Sequence, residues 1–221
     1  MRFQIASLLP PEQVTAWRDR LLADGTDWRP GQETAGWHAR SVKHNRQLLR
    51  SDPLHQDLAP QVSQALLAHP LVASAALPRR LHGLLFSRTG LGQRYGRHVD
   101  NAFMADGRSD LSFTLFLSEA GSFRGGALVL EFPHGEEAIR LGAGDVILYP
   151  STLRHRVDPV TKGERLVCVG WIQSRVRSAE QRELLFELDT ARRLLFQDQG
   201  KSEAFDLLCR SYGNLLRMWG E

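Results

Sequence analysis

The sequence predicts a mainly β protein with helices flanking the sheet region. Between Leu81 and Gln173 the chain reads as seven or eight short strands, each bounded by Gly, Pro or Asp. Before and after this region, apolar residues recur at helical spacing instead. Short strands separated by regular turn signals are typical of antiparallel sandwiches and barrels. The expected core is therefore a sandwich or barrel with helices around it.

Composition places the chain among ordinary globular proteins. It has 221 residues, of which 42% are hydrophobic and 24% charged, so it is long enough for one large domain, or one domain with a helical extension. Lys and Arg total 28 against 25 Asp and Glu, without a dense basic run. Nucleic acid is therefore not an expected partner.

The cysteines and the N-terminus bear on location. Cys168 and Cys209 form no CxxC pair, which argues against a disulfide framework or a zinc ribbon. The apolar stretch at residues 1–9 is short and is interrupted by Pro10-Pro11. No uncharged apolar run is long enough to cross a bilayer. A cytoplasmic protein without a membrane partner is expected.

Two helices are predicted in the N-terminal third. The first follows Pro10-Pro11 and ends near Ala23, because proline is well placed in a first helical turn. The second begins at Asp52-Pro53 and ends before Pro70, with a kink expected at Pro60.

In the segment that joins these two helices, polar side chains occupy alternate positions. If the segment is extended, Lys43, Asn45 and Gln47 share one face. That face is either a solvated edge strand or the wall of a pocket. In the second case the three residues are candidates for substrate contact.

The predicted strands are followed by two helices. Within the strand region, a polar loop is expected at residues 105–108. After it, Leu184 and Ala204 begin two stripes of apolar residues at helical spacing, and a break at residues 198–202 separates the stripes. These stripes predict a C-terminal helical hairpin that either caps the barrel or joins a second copy of the chain. The strands are predicted at residues 81–89, 95–100, 111–118, 127–132, 138–141, 146–149 and 166–173.

His98 and Asp100 form the chemical motif of the chain. Alternate residues of a strand face the same side, so both could hold one ion. A lone His-x-Asp is common by chance, but His155 follows the strand at 146–149 through a turn where another strand should begin. Two histidines and one carboxylate on one side of a metal are the ligands of non-haem Fe(II) oxygenases. The other six histidines lack an acidic or histidine partner in a matching strand.

The order of these residues resembles a known family. Arg165 lies ten positions after His155, and the sequence His98-x-Asp100, His155, Arg165 resembles the layout of the 2-oxoglutarate-dependent dioxygenases. The closer resemblance is to the bacterial PKHD-type hydroxylases of the prolyl-4-hydroxylase-like branch, and it covers nearly the whole chain. The fragments that carry it are residues 42–48, 95–102, 108–118, 125–129, 171–174 and 181–190.

This resemblance implies a double-stranded β-helix core, jelly-roll or cupin-like, with iron ligands His98, Asp100 and His155. Arg165 would pair the distal carboxylate of 2-oxoglutarate, because a guanidinium offers paired donors and stays charged. The implied cofactors are Fe(II), 2-oxoglutarate and O2, with L-ascorbate as an additional one. No catalytic residue is expected beyond the metal ligands.

Three further side chains are candidates for the cosubstrate pocket. Trp171 lies where the family places an aromatic residue against the cosubstrate, although a core position is equally compatible with it. By strand parity Ser112 and Thr114 face the same side and line the pocket. On the substrate side, Tyr95 joins the polar segment at 43–47. One position departs from the family, which usually has tyrosine where this chain has Thr89.

The resulting expectation is a dioxygenase domain at residues 1–177, with N-terminal helices within 10–70 and a β-helix core at 80–175, followed by a helical extension at 178–221. Its activity would be hydroxylation of an unidentified small-molecule or protein substrate with release of succinate and CO2. Two alternatives stay open: a non-catalytic β-barrel sensor for a metal or small ligand, and a nucleic-acid demethylase of the same superfamily. A homodimer through the C-terminal helices is also expected.

Overall fold

The computed structural model describes residues 2–37, 39–104 and 107–221. The helices are α1 (Pro11–Leu22), α2 (Pro53–Ala68), α3 (Pro70–Ala76), α4 (Ala179–Gln199) and α5 (Glu203–Trp219). The strands are β1 (Phe3–Ile5), β2 (Trp28–Pro30), β3 (Lys43–His44), β4 (Arg46–Leu48), β5 (Pro78–Thr89), β6 (Arg94–His98), β7 (Phe103–Met104), β8 (Gly107–Arg108), β9 (Leu111–Phe116), β10 (Arg124–Gly125), β11 (Leu128–Phe132), β12 (Gly135–Ile139), β13 (Val146–Pro150), β14 (His155–Val157), β15 (Val160–Lys162) and β16 (Arg165–Ser174).

Two antiparallel sheets build the core of the described ranges. The larger has seven strands in the order β1-β13-β9-β16-β5-β4-β2, and the smaller has five in the order β12-β11-β14-β6-β3. Strands that are neighbours in these sheets are often distant in sequence, as in a sheet that folds back on itself. The mainly β core with flanking helices that the sequence predicted is confirmed.

The larger sheet has one face covered by helices and an opposite, inner face that lines a cavity with both polar and apolar side chains. In β9 the side chains of Leu111, Phe113 and Leu115 belong to the core cluster that includes α1 and α2. The intervening Ser112 and Thr114 line a cavity on the opposite face. Because strand side chains alternate between faces, one strand supplies both the core and the cavity wall.

The N-terminal helices form where the sequence predicted them. Helix α2 begins after Asp52, whose carboxylate accepts a hydrogen bond from the Leu54 backbone nitrogen at 2.8 Å, and it continues as a helix through Pro60. Helix α3 was not predicted, because seven residues are too short for a recognisable period.

Several strand boundaries differ from prediction. Strand β6 ends at His98, so Asp100 lies just beyond the strand and not within it. Strands β1, β14 and β15 have three residues each, too few to show an alternating pattern in sequence. The expected polar loop includes Ala105 and Asp106, which lie outside the described residues, and its last two residues form β8, which pairs with β7.

The C-terminal helices form the predicted hairpin. Ser178 and Ser202 cap α4 and α5 by accepting hydrogen bonds from the Gln181 and Phe205 backbone nitrogens, each at 3.2 Å. Leu185 and Tyr212 are buried together with Leu77, just before β5, and Val176, just after β16. Within the described ranges, no helix is both long and apolar enough to cross a membrane.

Candidate active site

A cavity of about 420 Å³ lies between the inner faces of the two sheets. This volume is typical of pockets that enclose a small molecule. The metal motif lines one wall and Arg165 another. The sequence-predicted site residues all line this cavity, namely His98, Asp100, His155, Arg165, Trp171, Thr114, Ser112, Lys43, Asn45, Gln47 and Tyr95.

His98, Asp100 and His155 converge on one point. The Nε2 atoms of both histidines lie 3.9 Å from Asp100 Oδ1, and one ligand atom from each residue falls within 4.8 Å of the others. His98 and His155 are directly opposite each other on β6 and β14. Cross-strand pairing therefore unites two histidines that are far apart in sequence, and the turn after β6 adds the carboxylate.

Backbone carbonyls orient both imidazoles. His98 Nδ1 donates to the Gly96 carbonyl at 2.8 Å, and His155 Nδ1 donates to the Leu153 carbonyl at 3.0 Å. Since a carbonyl only accepts, each Nδ1 carries the proton and each Nε2 presents its lone pair to the ligand point. Burial and the neighbouring His155 lower the pKa of His98 to about 4, so this ring is neutral at physiological pH.

Ser112 holds the carboxylate of Asp100 and is itself in contact with Ser151. Ser112 Oγ donates to Asp100 Oδ2 at 2.6 Å and contacts Ser151 Oγ at 2.8 Å. Ser112 was predicted as a cosubstrate contact, yet its hydroxyl is engaged with the metal motif. Oδ1 remains directed at the two imidazoles.

The donor set fits a divalent first-row metal. Neutral imidazole nitrogens with one carboxylate on a single side suit Fe(II), and their separations can be spanned by ligand bonds of about 2.0–2.2 Å. Among the described residues, this is the one cluster of three or more His, Cys, Asp or Glu groups close enough to share an ion.

Arg165 is a buried cation facing the same cavity. The residue is 3% exposed by relative area, and its Nε has no hydrogen-bond partner among the described residues. Burial lowers the pKa of the guanidinium to about 10, so the charge persists at neutral pH. In the described part of the chain no carboxylate pairs with it. A buried guanidinium without an anion is strongly disfavoured, so this position fits the carboxylate of a bound ligand.

Tyr149 is a site residue that the sequence analysis missed. Its ring lies 5.3 Å from that of His155, and its hydroxyl is hydrogen-bonded to Thr114. Burial, reinforced by Asp100, raises the pKa of Tyr149, which is therefore protonated. No pattern within its own strand reveals it, because its place in the site depends on standing directly opposite Ser112 in the neighbouring strand.

Trp171 packs against a glycine of the neighbouring strand. Gly83 has φ +70°, and a Cβ atom there would lie 2.6 Å from Trp171 Cε3. The register of β5 and β16 shifts between Val169 and Trp171, which gives the indole its room. Within the part of the chain that the structure describes, its Nε1 has no hydrogen-bond partner.

Thr89, the position at which the sequence departs from the family, lies beside Arg165. Thr89 is buried, lines the cavity and is directly opposite Arg165 in the ladder between β5 and β16. Arg88, on the other face of β5, pairs with Glu164 at 2.8 Å. The cavity wall therefore carries the short hydroxyl side chain of Thr89 where the family usually has a tyrosine.

The polar segment at 43–47 forms a cavity wall. Lys43, Asn45 and Gln47 are all buried, which rules out the solvated edge strand. Asn45 Nδ2 donates to Ser87 Oγ at 2.7 Å. The Tyr95 ring stacks on His98 with centroids 3.7 Å apart. This wall lies beside the metal motif.

Comparison with known proteins agrees with this geometry. Residues 84–173 match the family model of the 2OG-Fe(II) oxygenase superfamily, and residues 180–221 match that of the PKHD-type hydroxylase C-terminal domain. Fold, site and family model together define a 2-oxoglutarate- and Fe(II)-dependent oxygenase, an oxidoreductase of the dioxygenase type.

Full-length relatives narrow the assignment. A PKHD-type hydroxylase of Synechococcus elongatus is 55% identical over 225 residues, covering 100% of both chains. Another from Prochlorococcus marinus is 50% identical over 213 residues, covering 96% of each chain. The chain belongs to the PKHD-type hydroxylases.

Solved structures share the fold. A Pseudomonas putida prolyl-4-hydroxylase superposes with a TM-score of 0.58 at 23% identity, covering 79% of this chain and 92% of its own. A Trichoplax adhaerens prolyl hydroxylase, in complex with a hypoxia-inducible-factor peptide, gives 0.57 at 17% identity, covering 83% and 86%. The jelly-roll core expected from the resemblance is confirmed.

Proposed function

We propose that the protein hydroxylates a C–H bond of its substrate while converting 2-oxoglutarate and O2 to succinate and CO2. The observation that carries the proposal is one cavity that holds both a three-residue ligand set for iron and a buried guanidinium to which no carboxylate of the described residues is paired. An iron-bound keto acid needs both features, because its keto end binds the metal and its distal carboxylate needs a cation.

Each residue has a defined role in this proposal. His98, Asp100 and His155 hold Fe(II), and Arg165 binds the distal carboxylate of 2-oxoglutarate through paired N–H donors. When bound, Fe(II) and 2-oxoglutarate would supply the chemistry, which is oxidative decarboxylation of the keto acid by O2. One oxygen atom of O2 would enter succinate and the other the product.

The charges of the site support this pairing. Two neutral imidazoles and one carboxylate leave a divalent ion with a net positive charge, which the dianionic keto acid balances together with Arg165. Tyr149 and Thr114 provide hydroxyl groups beside the same wall. Apolar walls, including Leu128 and Val167, exclude water from the reacting atoms.

The remaining expectations belong to the same proposal. We propose a cytoplasmic enzyme that is assisted by L-ascorbate and acts on a small-molecule or protein substrate; on charge and hydropathy, we propose neither nucleic acid nor a membrane as a partner. The division into a domain at 1–177 and an extension at 178–221, and a homodimer through the C-terminal helices, also remain predictions. The relatives favour neither the sensor nor the demethylase alternative.

The test is turnover in a bacterial cell extract. Protein loaded with Fe(II) and 2-oxoglutarate is exposed to oxygen-18 gas, and the extract is analysed by mass spectrometry. We expect one heavy oxygen atom in succinate and one in a product, with neither formed under argon. Failure to form succinate in the presence of extract, iron and oxygen would overturn the proposal.

A further inference from the structure

Lys43 is a buried cation that the proposed iron and cosubstrate sites leave unused. Its side chain is 5% exposed, and its Nζ donates to Thr34 Oγ1 at 3.0 Å. Nζ also lies 5.2 Å from the centre of the Tyr95 ring. Burial lowers the pKa of Lys43 to about 8, partly offset by Asp100, so the ammonium form predominates at neutral pH.

The ammonium group of Lys43 has more N–H donors than acceptors among the described residues. An ammonium has three N–H groups, and in the described ranges Thr34 is the hydrogen-bond acceptor of Lys43. No carboxylate in those ranges lies within ion-pair distance of Nζ. Two N–H groups therefore remain for a molecule in the cavity.

A second donor stands beside this cation. The Thr34 hydroxyl donates to Gln47 Oε1, which orients the amide of Gln47. The Gln47 amide nitrogen has no acceptor in the described part of the chain, and the residue lines the cavity. Thr34 therefore links a cation and an amide donor into one group.

Strand order separates this group from the proposed cosubstrate site. In the five-stranded sheet β14 and β6 carry the two histidines, β3 with Lys43 lies beyond β6, and β11 lies beyond β14. Arg165 belongs to the β11 side, because a Cβ on Gly126, just before that strand, would lie 3.2 Å from Arg165 Cδ. Lys43 and Arg165 therefore flank the histidine pair from opposite sides.

The charges of the cavity leave Lys43 unbalanced. Of the described side chains that line the cavity, Lys43, Arg50 and Arg165 are basic and Asp100 is acidic. In the proposed complex Asp100 binds the metal and the distal carboxylate of 2-oxoglutarate binds Arg165. The remaining ligand of the cavity, the substrate, then has to supply the negative charge that Lys43 lacks.

We propose that Lys43 and Gln47 bind an oxyanion of the substrate, a carboxylate or a phosphate, so that the enzyme acts on an acidic molecule or an acidic side chain. This inference rests on the proposed function. It places the hydroxylated carbon within a short distance of an anionic group, because Lys43 and His98 both lie against the ring of Tyr95. Substrates without a negative charge are excluded.

The test uses matched probes in place of the unidentified substrate. The protein is loaded with Zn(II), which does not react with oxygen, and with saturating 2-oxoglutarate. Binding of N-acetylglycine, its neutral amide and methyl phosphate is followed by saturation-transfer NMR. We expect the carboxylate or the phosphate to bind about tenfold or more tightly than the amide, and the stronger of the two identifies the oxyanion.

Variants assign the preference to Lys43. Lys43→Met should abolish the difference between acid and amide, and Lys43→Arg should retain it. Gln47→Glu, which is isosteric, should also remove it by placing a carboxylate beside the ammonium. Lys201→Met is the matched control, because this lysine is exposed in the connection between α4 and α5 and its replacement should leave binding unchanged.

Three results would overturn the inference: acid and amide bind alike, acid binding survives Lys43→Met, or no probe binds. Succinate formation by the Fe(II)-loaded wild type is measured in parallel. If succinate forms without a preference for oxyanions, the inference alone fails. If no succinate forms in the presence of cell extract, the proposed function fails.

Discussion

The Ser112 hydroxyl donates to Asp100 Oδ2 at 2.6 Å and thereby fixes which carboxylate oxygen faces the two histidines. Ser151 Oγ, 2.8 Å from Ser112 Oγ, holds that hydroxyl in turn. The metal motif is therefore oriented from the strand opposite it, through a contact that links the two sheets of the sandwich.

Replacing Ser112 by alanine should weaken iron binding. Loss of a hydrogen bond to a ligating carboxylate typically costs about 10–100-fold in metal affinity, and we expect that range for Ser112→Ala. Anaerobic Fe(II) titration provides the measurement. Ser112→Thr keeps the hydroxyl and is the control. Unchanged affinity in the alanine variant would show that Asp100 needs no such support.

Replacing Arg165 by methionine should weaken 2-oxoglutarate binding while iron stays bound. Removing one partner of a buried charge pair costs about 2–5 kcal/mol, and the guanidinium is the only charge we assign to the distal carboxylate. Calorimetric titration of the Fe(II)-loaded protein under argon measures this loss. Arg88→Met, one position before Thr89 and on the outer face, is the matched control. Equal losses in both variants would contradict the assignment.

The metal-free protein should lose stability in mild acid. The pKa of His98 is lowered from 6.5 to about 4 by burial and by His155. Between these values the unfolded chain binds more protons than the folded one, so the free energy of unfolding falls as pH decreases from about 6.5 to about 4, by up to about 3 kcal/mol from this residue.

Urea unfolding at a series of pH values measures the effect. His98→Gln removes the titrating group and should show a shallower decrease in the free energy of unfolding over the same interval. Parallel pH profiles for the wild type and the variant would exclude His98 as the source.

Gly83→Ala should destabilise the fold more than Gly92→Ala. Both glycines have positive φ, +70° and +72°, but a Cβ on Gly83 would lie 2.6 Å from Trp171 Cε3, whereas Gly92 has open space. Both substitutions therefore carry the same cost in backbone strain. The difference between their losses of unfolding free energy measures the clash with the indole, about 1–3 kcal/mol. Urea unfolding of both variants measures it. Equal destabilisation would mean that Trp171 moves freely.

The sequence predicted much of the fold because its signals are local. The alternation in β9, the apolar run of β16 and the helical stripes of α4 and α5 are each contained within one element, so they could be recognised without tertiary information. The shortest strands, such as β14, could not be recognised from the sequence pattern, because three residues are too few to show a period. Its start at His155 was expected only from the preceding turn.

The site divides in the same way. His98 and Asp100 are close in sequence, His155 was expected from the turn that precedes it, and the role of Arg165 followed from the resemblance. The roles of Ser151 and Tyr149 depend on which residues stand opposite each other across strands, and register is not visible in a single strand. Ser112 illustrates the limit, since parity predicted its direction but not that its hydroxyl would bind Asp100.

The central claim is that His98, Asp100 and His155 hold the iron at which 2-oxoglutarate is oxidised. The most direct measurement is succinate formation from 2-oxoglutarate, Fe(II) and O2, in the presence of cell extract, by the wild type and by folded Asp100→Ala. We expect the wild type to produce succinate and Asp100→Ala to fall to background. Succinate formation by Asp100→Ala at the wild-type rate would contradict the central claim.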